Sequence, residues 1–435
     1  MALLIMRKTL LAAWPLFFGI ALLMVGNGLQ GTLLGWRASI ESFSAQTTGL
    51  IMTGFYLGFL AGSRYTPGII TAVGHVRVFA ALASVASTAI LVQAVYVNPP
   101  VWLVGRIATG FCYAGLYIVI ESWLNNSSTN ETRGSVFSIY MVVTYISMAG
   151  GQWMLKLADP AGFHLFVMVS VLISLSLVPL LLSRTSAPQL EDSESVSVRQ
   201  LFSWSPLGVV GTFGIGLAHS AVYAMGAVYA SAAGMSVAST AIFMSMFILG
   251  GVFLQWPIGR LSDYFDRRKV LIVTTFLAAL VSIALLNSGL SERQVFMLFG
   301  LYGGFSLPLY SLVIAHTNDR LRPGQMIAAS SALIFLYGIG SSLGPLIIGF
   351  VLERVAPSGF FVFIAIMHLS VGVFGVGMMF KTAPVAADEQ ASVIPMGPRS
   401  TVVVAETVAQ IMEEEVASND DEADDEAESQ QAGGK

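Results

Sequence analysis

The stretch Gly259-Arg260-Leu261-Ser262-Asp263-Tyr264-Phe265-Asp266-Arg267-Arg268 holds five charged side chains in ten positions, in a chain where Asp, Glu, Lys and Arg are only 11% of all residues. Apolar runs flank it on both sides, over 239–259 and 269–290. Each run matches the ~20-residue helix that crosses a hydrocarbon core. Backbone in lipid must satisfy its own hydrogen bonds, which a helix does within one segment. A short charged turn between two such runs therefore reads as an antiparallel pair of membrane-spanning helices joined in water.

The same alternation runs along the whole chain. Apolar residues make up 55% of the 435, and the mean hydropathy is +0.76. A soluble domain carries about 25% charged residues, so one soluble core cannot hide this much apolar surface and the lipid bilayer is the expected solvent. Dividing the chain at its charged, Pro-rich and Asn/Ser-rich punctuation gives twelve runs. They lie at 10–34, 46–70, 77–97, 101–124, 135–157, 163–183, 206–230, 239–259, 269–290, 294–316, 326–351 and 359–380. Arg7 and Lys8 precede the first run as they would in a signal peptide. That run continues to about Leu34, however, which argues for a retained span. The expected fold is all-α and integral to the membrane, with twelve transmembrane helices in two pseudo-symmetric six-helix halves, 1–183 and 205–380. A polar linker over 184–204 joins them, and residues 381–435 follow as a tail.

Charge supports this parsing. With the N-terminus inside, the inner loops hold 14 Lys and Arg and the outer loops 4, the bias expected where cytoplasmic loops face anionic lipid. Both termini are then cytoplasmic. The net charge of −4 hides two opposed parts: from Lys381 onward 13 acidic residues face 3 basic ones. The tail over 381–435 reads as acidic and disordered, most of all in the run Glu413 to Glu428, although Val402 to Val416 can form a short amphipathic helix. No basic, aromatic-rich groove points to nucleic acid, and a monomer is expected. Cys112 is the one cysteine, which excludes an internal disulfide framework and a Cys-based zinc site. No metal or other cofactor is expected.

A weak internal repeat relates the halves. Gly68, His75 and Arg77 precede Gly259, Asp266 and Arg268 by a constant offset, each set following the second helix of its half. Duplicated halves are common among transporters.

The Gly259 to Arg268 segment resembles the signature loop of the major facilitator superfamily: a Gly, an Asp four residues on, then a basic pair after a tight turn. Asp266 stands where that family usually has Gly, and Ala72 replaces the Asp in the first-half copy. Arg106-Ile-Ala-Thr-Gly110 is similar to the family's Arg-xxx-Gly element. Gly115-Leu-Tyr-Ile-Val-Ile-Glu121-Ser and Gln255-Trp-Pro-Ile-Gly-Arg-Leu-Ser-Asp263 resemble its bacterial YcaD-like branch. The resemblance covers roughly 10–380. It implies an alternating-access carrier whose first, fourth, seventh and tenth spans line a central cavity. It also implies a conformational latch built from Gly259, Asp263, Arg267, Arg268 and Arg77. An acid placed like Glu121 would pair with the basic residue of the first-half loop, Arg77.

Ionisable groups inside a membrane cost about 2.5–3.5 kcal/mol on insertion scales, so each needs a partner or a purpose. Arg106, Gly110, Tyr113, Tyr117 and Glu121 recur at helical spacing and share one face, which should point into the bundle. Arg106 is a candidate anion or coupling site, and equally a structural cation satisfied by neighbouring helices. Glu121 is a candidate proton carrier, although pairing with Arg77 is the favoured reading. Asn27 and Gln30, Gln152, the pair His219 and Tyr223, and Tyr302 and Tyr310 are candidate cavity donors or aromatic walls. Interhelical hydrogen bonding is the competing role for each.

The sequence contains no HExxH motif, histidine cluster or intramembrane acid pair, so catalysis is not expected. The reading that follows is a secondary active transporter for a small organic solute, coupled to protons. The alternative is a transporter-like membrane sensor or scaffold whose acidic tail binds a partner.

Overall fold

The computed structural model describes residues 2–181, 196–322, 324–385, 390–397 and 400–414. Most of the expected linker, up to residue 195, and the acidic run from residue 415 lie outside the described residues. The first half contains α1 (Ala2–Ile40), α2 (Ala45–Val73), α3 (His75–Val95), α4 (Pro99–Asn126), α5 (Asn130–Trp153), α6 (His164–Leu175) and its continuation α7 (Leu177–Leu181). A short α8 (Val198–Trp204) leads into α9 (Pro206–Ala232), α10 (Val237–Tyr264), α11 (Arg267–Ala284), α12 (Glu292–Ser306), α13 (Pro308–Asn318), α14 (Met326–Arg354) and α15 (Gly359–Met379). One further helix, α16, covers 402–414.

Among the described residues, ten rods are long and apolar enough to cross a membrane, α6 with α7 and α12 with α13 each counting as one. Two more helices complete the bundle, consistent with twelve spans: α2, 29 residues with Gly, Thr and Arg64 interspersed, and α11, 18 residues opening on Arg267-Arg268-Lys269. The break between α12 and α13 falls at Pro308, which has no N–H to continue the helix ladder.

The halves repeat one packing scheme. In the first, α1 packs on α5 and α6, α2 on α4, and α3 on α4 and α6. In the second, α9 packs on α14 and α15, α10 on α12, and α11 on α12 and α15. The α2–α4 and α10–α12 crossings are made close by the same device. A Cβ on Gly110 would overlap the Phe55 carbonyl oxygen, and one on Gly303 would overlap that of Phe247. Only glycine lets two helix backbones meet at such spots.

The halves meet at one end and part at the other. Around the turns 40–45 and 354–359, Gln46 N donates to Glu353 Oε2 at 2.9 Å and Thr53 Oγ1 to Ser342 O at 3.0 Å. On the other side of the same closure, Ser245 Oγ donates to Ala149 O at 3.2 Å. At the opposite end, which carries Arg77, Arg267, Arg268 and Arg320, the space between the halves is filled by residues 390–397 and 400–414. Met396, Val404, Ala405, Ala409 and Met412 of this segment are fully buried.

This departs from the unstructured tail expected over 381–435. Val402, Val403, Val404, Val408, Ile411 and Met412 make the first part of the tail apolar enough to pack, and the acidic density begins only at Glu413. The amphipathic helix expected over 402–416 forms over 402–414.

Candidate functional site

The expected α4 stripe does face inward. Arg106 is buried, with its guanidinium 4.5 Å from the Phe55 ring centroid, an arrangement in which the ring face attracts the cation. Tyr113 and Tyr117 follow it, their rings 5.8 Å apart and edge-on. Asn27 Nδ2 of α1 donates to Tyr117 OH at 3.3 Å, which fixes the phenol across the cavity wall. Gln152 of α5 accepts a bond from Thr32 Oγ1, so it ties α5 to α1. Gln30 Nε2 is buried and has no hydrogen-bond partner among the described residues. The same is true of Tyr145 OH on α5. Tyr145 lines a small space of about 20 Å³ with Met24, Tyr117, Tyr140, Met141 and Thr144, capped by Gly397 and Ser400. Orphaned buried donors are rare in folded proteins, and a ligand or water that fills the space can satisfy them.

Glu121 lies at the lower end of this stripe and is fully buried. Tyr140 OH donates to its Oε1 at 2.8 Å. Thr401 N donates to its Oε2 at 3.3 Å, and Thr401 Oγ1 makes a short bond to the same oxygen. The expected pairing of Glu121 with Arg77 does not form. Arg77 sits in the first turn of α3, its side chain exposed, and the Glu121 carboxylate turns inward toward α5 and the segment that enters between the halves.

The second half contributes a different arrangement. His219 is fully buried, with Nδ1 3.2 Å from Tyr337 OH and Nε2 3.1 Å from both the carbonyl and the hydroxyl oxygen of Ser306. Ser306 Oγ is also 3.0 Å from His368 Nε2, and the His368 ring Nδ1 is 2.8 Å from Ile364 O. The two histidines, Tyr337, Ser306 and Tyr302, whose hydroxyl is 3.4 Å from Ser306 Oγ, form one network joining α9, α12, α14 and α15. Tyr223, one turn after His219 on α9, packs edge-on against Phe247, centroids 5.3 Å apart. Tyr310 packs at 4.6 Å on Tyr337. His219 thus serves as an interhelical tie, and its saturated ring nitrogens leave it little capacity for a ligand.

His368, Tyr337 and Tyr145 were not singled out from the sequence. A histidine in an otherwise apolar twelfth span was a signal of His368, since a buried imidazole needs partners for both ring nitrogens. Tyr145 stands one helical turn past Met141, on the face α5 turns toward α10, and nothing in its local sequence distinguishes it.

The signature loop takes an unexpected form. Arg267 Nη1 pairs with Asp319 Oδ1 at 2.8 Å, and its contact to Asp263 is longer, 3.5 Å. Burial pushes the Asp319 carboxyl up, and the Arg267 charge draws it back, leaving its pKa at about 7. Asp266 replaces the usual Gly as N-cap of α11. Its Oδ1 accepts from Arg268 N at 3.0 Å, and the Arg268 guanidinium lies 2.8 Å from Oδ2. Burial raises the Asp266 carboxyl, but the Arg268 hydrogen bonds and charge prevail and hold it below the usual carboxylate range. Asp263 Oδ1 accepts from Val393 N at 2.9 Å, and Arg267 Nη2 donates to Ala391 O at 2.6 Å. Among the described residues, the ion pairs of this cluster lie within the second half, and its further bonds go to Thr382 O and to the 390–397 segment.

A helical bundle of two matching halves, closed at one end, is the arrangement of a membrane transporter fold. The sequence profile of the Major Facilitator Superfamily matches residues 16–286 and 208–404, and the chain belongs to that family of multi-pass membrane transporters. It is 27% identical to the MFS-type transporter YcaD of Escherichia coli O6:K15:H31 (strain 536 / UPEC) over 352 residues, 80% of this chain and 91% of that protein. Among solved structures, the nucleoside transporter NupG superposes with a TM-score of 0.71 at 13% identity, covering 86% of this chain and all of that one. A bacterial homolog of the human lysosomal transporter Spinster, inward-facing and unoccupied, gives a TM-score of 0.64 at 16% identity, covering 95% and 94%. The fucose:proton symporter fold is also similar: FucP in its outward conformation gives 0.56 at 14% identity, covering 87% and 100%.

Proposed function

We propose that this chain is a secondary active transporter that moves a small organic solute across the bacterial inner membrane by alternating access, coupled to protons. Both termini face the cytoplasm in this reading, so the closed end is periplasmic and the basic end cytoplasmic. The observation that carries it is the unequal closure of the two ends around a tyrosine-lined centre. The outer ends are joined by Gln46–Glu353, Thr53–Ser342 and Ser245–Ala149. The inner ends stand apart, as in one stroke of a rocking carrier.

Glu121 is the proton-carrying candidate. It is buried, it faces the space between the halves, and no basic side chain pairs with it among the described residues. A carboxyl group held by hydroxyl and amide donors can gain or lose a proton without breaking an ion pair. Gln30 and Tyr145 supply polar atoms still seeking partners above it, and Tyr117 with Asn27 forms the adjoining wall.

The test is uptake into proteoliposomes with and without an imposed pH gradient. The panel is first narrowed by thermal-shift screening with nucleosides, monosaccharides and apolar drugs. The reading requires accumulation that collapses with the gradient. In Glu121→Gln, gradient-driven uptake should be lost while exchange of internal for external solute survives. Accumulation in that variant equal to wild type removes Glu121 from coupling. Absence of any solute movement by folded protein across the panel favours the sensor or scaffold alternative.

A further inference from the structure

We propose that the cleft between the halves is a peptide-binding site whose occupant is this chain's own residues 391–397 and 400–414, and that the bound segment is a plug holding the carrier inward-open and inactive. The consequence for transport rests on the transporter reading above; the docking itself does not.

The segment is bound through its main chain by side chains of the cleft. It enters extended along the second half, where Arg267 Nη2 donates to Ala391 O at 2.6 Å and Val393 N donates to Asp263 Oδ1 at 2.9 Å. Ser311 then reads both sides of one residue: Met396 N donates to its Oγ at 2.8 Å, and that hydroxyl is 3.3 Å from Met396 O. Gln255 Nε2 adds a contact to Met396 O at 3.4 Å. The chain next reaches the first half, where Thr401, just before α16, gives its N–H and hydroxyl to Glu121. Beyond it α16 buries Val404, Ala405, Val408, Ala409 and Met412. Glu413 Oε1 accepts from Gly324 N at 2.8 Å at the far end.

Arg267, Gln255, Ser311 and Glu121 are themselves buried, and each directs a polar group at the segment. Main-chain recognition by side chains set in an apolar wall is how an extended peptide is held, because buried amides must be satisfied one by one.

The geometry also says what the occupant prevents. Rocking to the other state requires the inner ends to approach as the outer ends do here, where Thr53 and Ser342 are 3.0 Å apart. A helix with its side chains is about 10–12 Å across. The segment touches α4 through Thr401, α10 and α11 through Val393 and Ala391, and α13 through Met396. With it in place the inner ends cannot meet, so each transport cycle requires its departure.

A disulfide within the full-length chain tests this. A Cβ built on Gly259 lies 3.9 Å from Val393 Cβ with no closer clash, inside the 3.5–4.5 Å range that a disulfide spans. Gly259→Cys with Val393→Cys, in a Cys112→Ser background, can be compared oxidised and reduced, so each sample is its own control. The first readout is disulfide formation on mild oxidation, seen by intact mass. The second is hydrogen exchange in segments 45–53 and 342–353, which must part when the outer end opens. The proposal expects the disulfide to form readily and exchange in those segments to be about tenfold slower in the oxidised protein. Failure of the disulfide to form shows that the segment does not dock there. Equal exchange in both states shows that docking does not arrest the halves. Either result overturns the proposal. If exchange differs as expected while the reduced protein carrying Thr401→Val, which loosens the segment, moves no solute in proteoliposomes, the plug stands and the transport reading fails.

Discussion

Thr401→Val is the smallest perturbation that asks how firmly the 391–414 segment is held. Valine keeps the shape of threonine and removes only the hydroxyl, which in the structure bonds Glu121 Oε2. Glu121 is fully buried and has only Tyr140 and Thr401 N as its remaining donors among the described residues. Leaving a buried acceptor short of a donor costs about 1–3 kcal/mol. That penalty falls on the docked state alone, because water can reach Glu121 once the segment leaves. The undocked population should therefore rise about 5- to 150-fold, at about 1.4 kcal/mol per factor of ten. Trypsin reports it directly: Arg399 immediately precedes Ser400 in the sequence, and a cut after it needs the buried flanking residues Gly397 and Ser400 out of the cleft. Where reclosing outpaces cleavage, the rate tracks the open population. Mass-spectrometric timing of the cut after Arg399 should show an acceleration within that range at unchanged melting temperature of the bundle. Cleavage at the wild-type rate would refute the claim that Glu121 anchors the segment.

Gly110→Ala should lower the thermal stability of the purified protein by an amount corresponding to about 1–3 kcal/mol, because the new methyl meets the Phe55 carbonyl and the α2–α4 crossing must open; an unchanged melting temperature would remove that contact as the reason for glycine here. Burial raises the folded pKa of Asp319 from 3.8 to about 7 despite Arg267, so the folded chain binds this proton more tightly than the unfolded one. The stability it contributes is full below pH 4 and is lost as pH rises through 7; melting curves of Asp319→Asn should show a flatter slope across that window, and a slope equal to wild type would contradict it. Asp263→Asn weakens a carboxylate that accepts Val393 N and lies 3.5 Å from Arg267; faster tryptic cleavage after Arg399 is expected, and a loss of contact between the halves without that acceleration would restore the latch role.

The bundle was legible because its signals are local and repeated. Twenty-residue apolar runs, charged turns and the basic bias of alternate loops each follow from the cost of polar groups in lipid. The inward stripe from Arg106 to Glu121 was legible for a related reason: helical spacing puts charges and tyrosines on one face, and lipid cannot accept that face. Partners were not legible. Glu121 was expected to find Arg77, yet chain direction at α3 sends that arginine outward, and a threonine 280 residues away takes the place. His219 has a tyrosine four residues on, but its ring is claimed by Ser306 and Tyr337 from other helices. Spacing along one helix says which face a side chain occupies; it carries no information on what stands opposite.

The tail shows the same limit from the other side. Averaged over 381–435, its charge argues for a solvated chain, since low hydrophobicity cannot repay the entropy of ordering. The average conceals a boundary. Residues 391–412 hold one acidic and one basic side chain, Glu406 and Arg399, among Val, Ala, Ile and Met, whereas Glu413, Glu414 and Glu415 begin the acidic run. At the end of α16, Glu413 Oε1 accepts from Gly324 N. A chain that carries charge immediately after its buried stretch cannot slide deeper, because the next residues would have to desolvate carboxylates. Glu413 and Glu414 thus oppose deeper insertion. It also explains why the cluster around Arg267, which lies at the entry and not at the centre, meets the segment where it first leaves water.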